Sequence, residues 1–232
     1  MKISVIIPTF NEADNISFLI ASLKKYGGSN LQEIIVIDSL NSTDKTFEIA
    51  QNLGVVAVKS SKKGRAAQMN YGVSLAKGEI LYFVHADTII NPDYSTDILQ
   101  ALSHGYHLGC YRNKFNSPHL LLKINAFFTR FPFLWCRGGD QTLFISKSDF
   151  VNIGGFREDY VIMEDYEFIV RANKILKFKI IPKNVIVSAR KYETNSYLRV
   201  QKANLTVMRM FLGGKASQQE MADTYRKMLD YR

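Results

Sequence analysis

The feature that most constrains this chain is an alternation of two periodicities over residues 1–90. Ile3 to Ile7 is a short β-branched run closed by Pro8, and Ile16, Leu19, Ile20 and Leu23 then recur at i, i+3, i+4 and i+7, with Asp14 or Asn15 placed to cap a helix. The pattern repeats: Ile34 to Ile37 reads as a strand, Asp44 to Leu53 as a helix, Val55 to Val58 as a strand, Ala66 to Ala76 as a helix and Ile80 to Val84 as a strand. Strands separated by helix-length connections pair in parallel and are covered by those helices. This predicts a doubly wound α/β half.

Beyond residue 90 the rhythm loosens. The spacing predicts a helix near Pro92 to Ser103, strands at His107 to Arg112, Thr142 to Ile145 and Phe178 to Ile181, a helix near Glu164 to Lys174, and closing helices at Tyr197 to Leu212 and Ser217 to Leu229. No internal repeat or Gly, Ser or Pro-rich linker divides the chain. We therefore expect one domain over 1–232, with a parallel half at 1–90 and a mixed half carrying the C-terminal helices at 91–232.

Composition narrows the setting. A chain of 232 residues, 47% hydrophobic, buries one sizeable core, and a net charge of +9 points to an anionic partner without choosing among nucleotide, nucleic acid and membrane surface. Cys110 and Cys136 form neither a disulfide framework nor a zinc pattern, and the N-terminal apolar run stops at Pro8, so a reducing cytoplasm is expected. The aromatic stretch Leu120 to Trp135 is broken by Lys123, Arg130 and Pro132 and falls short of the roughly 18 apolar residues a membrane span needs. It suits a surface lying on the inner face of a membrane, the protein core or a second subunit of a homo-oligomer.

Ligands of open parallel sheets bind beyond the carboxyl ends of the strands. Pro8-Thr9-Phe10-Asn11-Glu12 follows the first strand, Asp38 the second, and His85-Ala86-Asp87 the fourth. Asp87 closes an apolar run, where a carboxylate either caps the next turn or meets a divalent ion. Lys62, Lys63 and Arg65 surround Gly64 before a helix, so they form either a solvated basic turn or, with the free helix N–H groups, a phosphate site. At about 100° per residue Asp165 shares a helix face with Phe168, Ile169 and Ala172, whereas Glu164 falls with Glu167 and Arg171 on the polar side. Asp165 is thus a helix cap or an inward general base. Gly138-Gly139-Asp140-Gln141 is a tight turn or a backbone that approaches a sugar, and His104 and His107 read as surface residues.

Val5-Ile6-Ile7-Pro8-Thr9-Phe10-Asn11-Glu12, the segment Asp38 to Thr46, Lys63-Gly64-Arg65, His85-Ala86-Asp87-Thr88 and Met163-Glu164-Asp165 resemble, in order and spacing, the family-2 glycosyltransferases. Gly64 to Asn70, Gly139-Asp140-Gln141 and Ser188-Ala189-Arg190 further resemble the radical-SAM/selenodomain-associated transferase 2 branch. The resemblance implies a GT-A-like, Rossmann-type mixed sheet flanked by helices, with a nucleotide-binding half at 1–90 and an acceptor-binding half with the C-terminal helices at 91–232. It implies that Pro8, Thr9, Glu12 and Asp38 hold the nucleoside of a nucleotide-sugar donor, commonly a uridine diphosphate sugar, and that Arg65 approaches the diphosphate. It makes Asp87, with His85 in place of the first acid of D-x-D, the site of Mn²⁺ or Mg²⁺, and Asp165, beside Glu164, the base of an inverting transfer. Asp140 and Gln141 then serve the sugar. Where relatives carry a late metal-binding histidine this chain has Ser188, Arg190 and Lys191, which places Arg190 at the diphosphate. The partners so implied are a nucleotide-sugar and a hydroxyl acceptor, lipid-linked if the aromatic stretch meets membrane, and no nucleic acid. A sugar-phosphate nucleotidyltransferase is the rival enzyme, against which stands the lack of glycine after the first strand, and a non-catalytic nucleotide-sugar binding module is the second rival.

Overall fold

The computed structural model describes residues 1–137 and 141–230. Strands β1 (Ile3–Thr9), β2 (Leu31–Asp38), β3 (Val56–Lys59) and β4 (Ile80–Phe83) pair in parallel, connected through helices α1 (Ala13–Gly27), α2 (Thr46–Asn52) and α3 (Arg65–Leu75), as the alternation predicts. Every residue of β1 is buried, because helices cover both sheet faces. Val5 and Ile7 pack with Ile16, Leu19, Ile20 and Leu23 of α1, while Ile6 faces Met69 and Val73 of α3. The α3 approach is close: a Cβ on Gly72 would stand 2.5 Å from Ile6 Cγ2.

The sheet continues past β4. After α4 (Tyr94–Ser103) come β5 (Leu108–Phe115), β6 (Leu143–Ser146) and β7 (Phe178–Val187), giving one seven-stranded sheet in the order β3-β2-β1-β4-β6-β5-β7. β6 runs antiparallel to both β4 and β5, and β5 and β7 pair in parallel. The α/β class with a mixed, helix-flanked sheet is therefore as expected, and the one reversed strand is what makes it mixed.

Three features depart from the sequence reading. β7 extends well beyond Ile181, because a register shift between Tyr111 and Arg112 of β5 lets Pro182 and Lys183 bulge at the sheet edge, where the missing proline N–H is tolerated. The helix α6 (Lys147–Ile153) was not anticipated; it is capped by Ser146, whose hydroxyl accepts from Asp149 N, and stopped by Gly154 at φ 90. The apolar stretch begins as helix α5 (Leu120–Phe128), of which only Leu122 is buried.

Helix α7 (Glu164–Ala172) and the short α8 (Lys191–Thr194) precede α9 (Tyr197–Gly213) and α10 (Gln218–Met228). Val207 of α9 and Met221 of α10 pack against Met163, and a capping box between Ser217 and Glu220 starts α10. Among the described residues no helix is long and apolar enough to cross a membrane.

Candidate active site

The carboxyl ends of β1, β2 and β4 lie side by side, as the parallel pairing requires, and two networks form there. In the first, Asp38 is fully buried and its carboxylate accepts from Thr9 Oγ1 at 2.8 Å and Ser42 Oγ at 2.7 Å and pairs with Lys59 Nζ at 2.6 Å. Gln68, projecting from α3, donates to the carbonyls of Thr9 and Ile37 at 2.9 and 2.8 Å and clamps the same strand ends. Pro8 and Thr9 are buried in that clamp. These hydrogen bonds remove the desolvation cost of a buried carboxylate. Lys59, Ser42 and Gln68 escaped the sequence reading, although Gln68 stands one turn before the buried Gly72.

The second network joins distant segments. Arg190 Nη2 lies 2.6 Å from Glu12 Oε1 and 3.4 Å from Asp87 Oδ2, so one guanidinium touches the loop after β1 and the loop after β4. Glu12 also accepts from Asn15 at 2.7 Å. Ala86 and Thr88 are buried whereas His85 and Asp87 are half-buried, so the latter two stand toward the open side of the strand end. Among the described residues no three His, Cys, Asp or Glu side chains gather as a ready-made metal cage.

The adjacent loops are cross-linked by short polar side chains. Asn11, at φ 53, accepts from Thr43 N at 2.8 Å, and its own N–H donates to Ser42 at 3.0 Å. Asp44 accepts from Ala13 N at 2.9 Å and Thr46 Oγ1 at 2.6 Å. Burial works against its charge, but the bonds from Thr46 and Ala13 prevail and hold its pKa below the ordinary carboxylate value.

At α7 the structure corrects the helical-face argument. Glu164 is 2% exposed, not solvent-facing, and pairs with Arg65 Nε at the start of α3; Glu167 is likewise buried and bonded to Arg171 Nε at 2.5 Å. Buried carboxylates are tolerable because each has a guanidinium. Arg65 therefore braces α7, and Lys62 of the same basic turn pairs with Glu158 at 2.7 Å. Asp165, read as inward, is half-buried, with Oδ1 accepting from Tyr166 N at 2.9 Å. The preceding Met163 holds φ 65, an αL conformation rare for non-glycine residues, and so sets the direction in which Glu164 and Asp165 leave the chain.

Gln141 lies between β5 and β6, donating to the Tyr111 carbonyl at 3.3 Å. Asp140 lies outside the described residues. His104 and His107 are exposed as expected, the latter 3.1 Å from Asp149.

Residues 4–164 match the model of the family described as Glycosyl transferase family 2. An uncharacterized glycosyltransferase of Haemophilus influenzae is 24% identical over 184 residues, 73% of this chain and 61% of the relative, so the chain spans less than two thirds of that protein. Among solved structures, a mannosyltransferase from Pyrobaculum calidifontis in complex with GDP-Man and Mn²⁺ superposes with a TM-score of 0.67 at 15% identity, over 98% of this chain and 69% of that one. Glucosyl-3-phosphoglycerate synthase from Mycobacterium tuberculosis, in complex with Mn²⁺, UDP-glucose and phosphoglyceric acid, superposes with a TM-score of 0.62 at 17% identity, over 88% of this chain and 78% of that one. These likenesses make the sheet and its helices GT-A in type. The family match covers well over half of the chain, and the protein belongs to glycosyl transferase family 2.

Proposed function

We propose that the protein transfers one sugar from a nucleoside diphosphate sugar, a uridine diphosphate sugar in the first instance, to a hydroxyl acceptor with inversion at the anomeric carbon. The observation that carries this reading is the convergence of Glu12, Asp87 and Arg190 at the strand ends, next to the loops where a family-2 donor belongs. A divalent ion suits the donor set: Mg²⁺ and Mn²⁺ are commonly held by one or two carboxylates together with substrate phosphates, so Asp87, with His85 beside it, suffices without a cage. Bound there, the ion would act as a Lewis acid on the leaving diphosphate.

The chain's own groups supply the rest. The acceptor oxygen attacks the anomeric carbon as its proton passes to the Asp165 carboxylate, and the bond from that carbon to the diphosphate oxygen breaks. Arg190 exchanges its carboxylate partners for the departing phosphates, whose negative charge grows during the step. Arg65, held on Glu164, keeps the turn bearing Asp165 in place. Asp38 and Thr9, locked to each other, shape the nucleoside end of the site with Pro8, and Glu12 aligns Arg190. Gln141 and Asp140 are assigned to the sugar.

The test is a calorimetric and turnover screen of UDP- and GDP-sugars with Mn²⁺. Donor binding followed by acceptor-dependent release of nucleoside diphosphate, with the product anomer inverted, is the expected result; donor binding without any turnover would favour a binding module instead.

The position of α5 supports a lipid-linked acceptor and peripheral contact with a membrane. Ile124, Phe127 and Phe128 are exposed on it, Phe133 and Trp135 stack beyond it with ring centroids 5.0 Å apart, and Arg130 lies over the Phe127 ring at 3.8 Å. Aromatics flanked by cations are the makeup of an interfacial segment. Co-sedimentation with anionic vesicles should occur at low salt and fall in a Phe127→Ser, Phe128→Ser variant; a wild-type protein that stays in the supernatant removes the membrane from the proposal.

A further inference from the structure

A cavity of about 420 Å³ opens between the end of β5, the start of α5 and the segment around α8, within the size range of small-molecule sites. None of the residues assigned above to donor, metal or base lines it. One wall is aromatic. His119 stacks on Tyr197 with centroids 6.5 Å apart and planes 16° apart, and Tyr197 stacks on Tyr192 at 6.1 Å and 21°. Polar groups complete the lining, among them Asn116, Ser117 and Glu193.

The composition of this lining selects a ligand class. In a chain of net charge +9, no Lys or Arg is among the described residues lining the cavity, and Glu193 adds negative charge. A phosphate or nucleotide would find no cation there, so the occupant is not an anion. The lining combines ring faces with hydroxyl, amide and carboxylate groups, which suits a molecule having an apolar C–H face and a rim of hydroxyls. A pyranose ring has that shape, since its C–H bonds meet the electron-rich aromatic face while its hydroxyls donate and accept at the edge.

Position relates the cavity to the reaction. Asn116 Oδ1 accepts from Ala189 N at 2.7 Å; both residues line the cavity, and the next residue, Arg190, is the one that reaches Glu12 and Asp87. On its other side the cavity is floored by Leu122 of α5, the helix whose outer face exposes Ile124, Phe127 and Phe128. A ligand seated there thus lies between a charged site and an apolar surface. We infer that the cavity holds the sugar ring of a glycolipid acceptor, an inference that rests on the glycosyltransferase reading and specifies its acceptor as a lipid-linked glycoside.

The probes are octyl glycosides of glucose, galactose, mannose and N-acetylglucosamine below their micellar concentrations, with octanol as control, titrated calorimetrically into the full chain. At least one glycoside should bind 10-fold or more tightly than octanol. His119→Ala, at an exposed position, and Tyr197→Ala should each weaken it several-fold, whereas Tyr197→Phe, which keeps the ring, should retain most of the affinity and control for misfolding. No glycoside exceeding octanol, or wild-type affinity in both His119→Ala and Tyr197→Ala, overturns the inference. Nucleoside diphosphate binding with Mn²⁺ is measured on the same samples. If it persists while glycoside binding is absent, the cavity assignment fails alone. If glycosides bind but no nucleotide does, the transferase reading fails and the cavity remains a sugar site without its acceptor role.

Discussion

Two strand-end aspartates, at the ends of β2 and just after β4, look alike in sequence and differ in what surrounds them. Asp38 has no exposed surface, and Thr9, Ser42 and Lys59 engage its two oxygens. Asp87 keeps 21% of its side chain exposed and meets Arg190 at 3.4 Å, a distance longer than a charge-assisted hydrogen bond of about 2.7–2.9 Å. A carboxylate held by short bonds in a dry place builds the loop around it. One that keeps part of its surface exposed can be reached by a ligand from solvent. The same difference in burial recurs on α7, where Glu164 is buried and paired with Arg65 and Asp165 is half-buried.

The contrast is broken most severely at α7. Asp165→Asn should lower kcat by about 10²–10⁴-fold, the range for loss of a general base, with donor affinity unchanged. Glu164→Gln should instead show itself as a lower midpoint of urea unfolding. If Glu164→Gln abolished turnover in a fully folded protein while Asp165→Asn worked normally, the two roles would have to be exchanged.

At the strand ends, Asp38→Ala should cost about 1.5–3 kcal/mol of stability, the scale of hydrogen bonds to a charged group, measured by urea unfolding. An unfolding midpoint equal to wild type would mean that the network around Asp38 is not structural. Asp87→Ala should leave that midpoint nearly unmoved and reduce Mn²⁺-dependent diphosphate affinity about tenfold, roughly 1.4 kcal/mol. Calorimetry with and without Mn²⁺ separates the two variants, and a metal effect that survives in Asp87→Ala removes the metal from that position.

The smallest effect concerns pH. Asp44 has a folded pKa depressed below its unfolded value, through the bonds from Thr46 and Ala13 that outweigh burial. The stability it contributes is therefore present above the unfolded carboxylate pKa of about 4 and is lost as pH falls through the lower folded value. Asp44→Asn should flatten the decline of stability below about pH 4 relative to wild type. Parallel declines in the two proteins would assign acid sensitivity elsewhere.

By itself the sequence determined the parallel half and where its strands end. Period-2 and period-3.6 burial are local properties, so the runs at Ile3 to Ile7 and Ile80 to Val84 and the stripe Ile16, Leu19, Ile20 and Leu23 declare their strands, helix and strand ends without help from the rest of the chain. Local signals also reached α7, α9 and α10, but not α6, which buries a single side chain, Phe150, and so shows no i, i+3, i+4 stripe. Only the tertiary structure decided the charges. Glu12 and Arg190 are separated by 178 positions, and Glu164 and Arg65 by 99, yet each pair meets. Whether a carboxylate faces solvent or is buried depends on which cation the sheet order brings to it, because burial that is prohibitive for a lone charge becomes tolerable once a guanidinium takes the place of water. A helical wheel sees the residues of one element and no partner from another, which is why it sent Glu164 outward and the folded chain buries it.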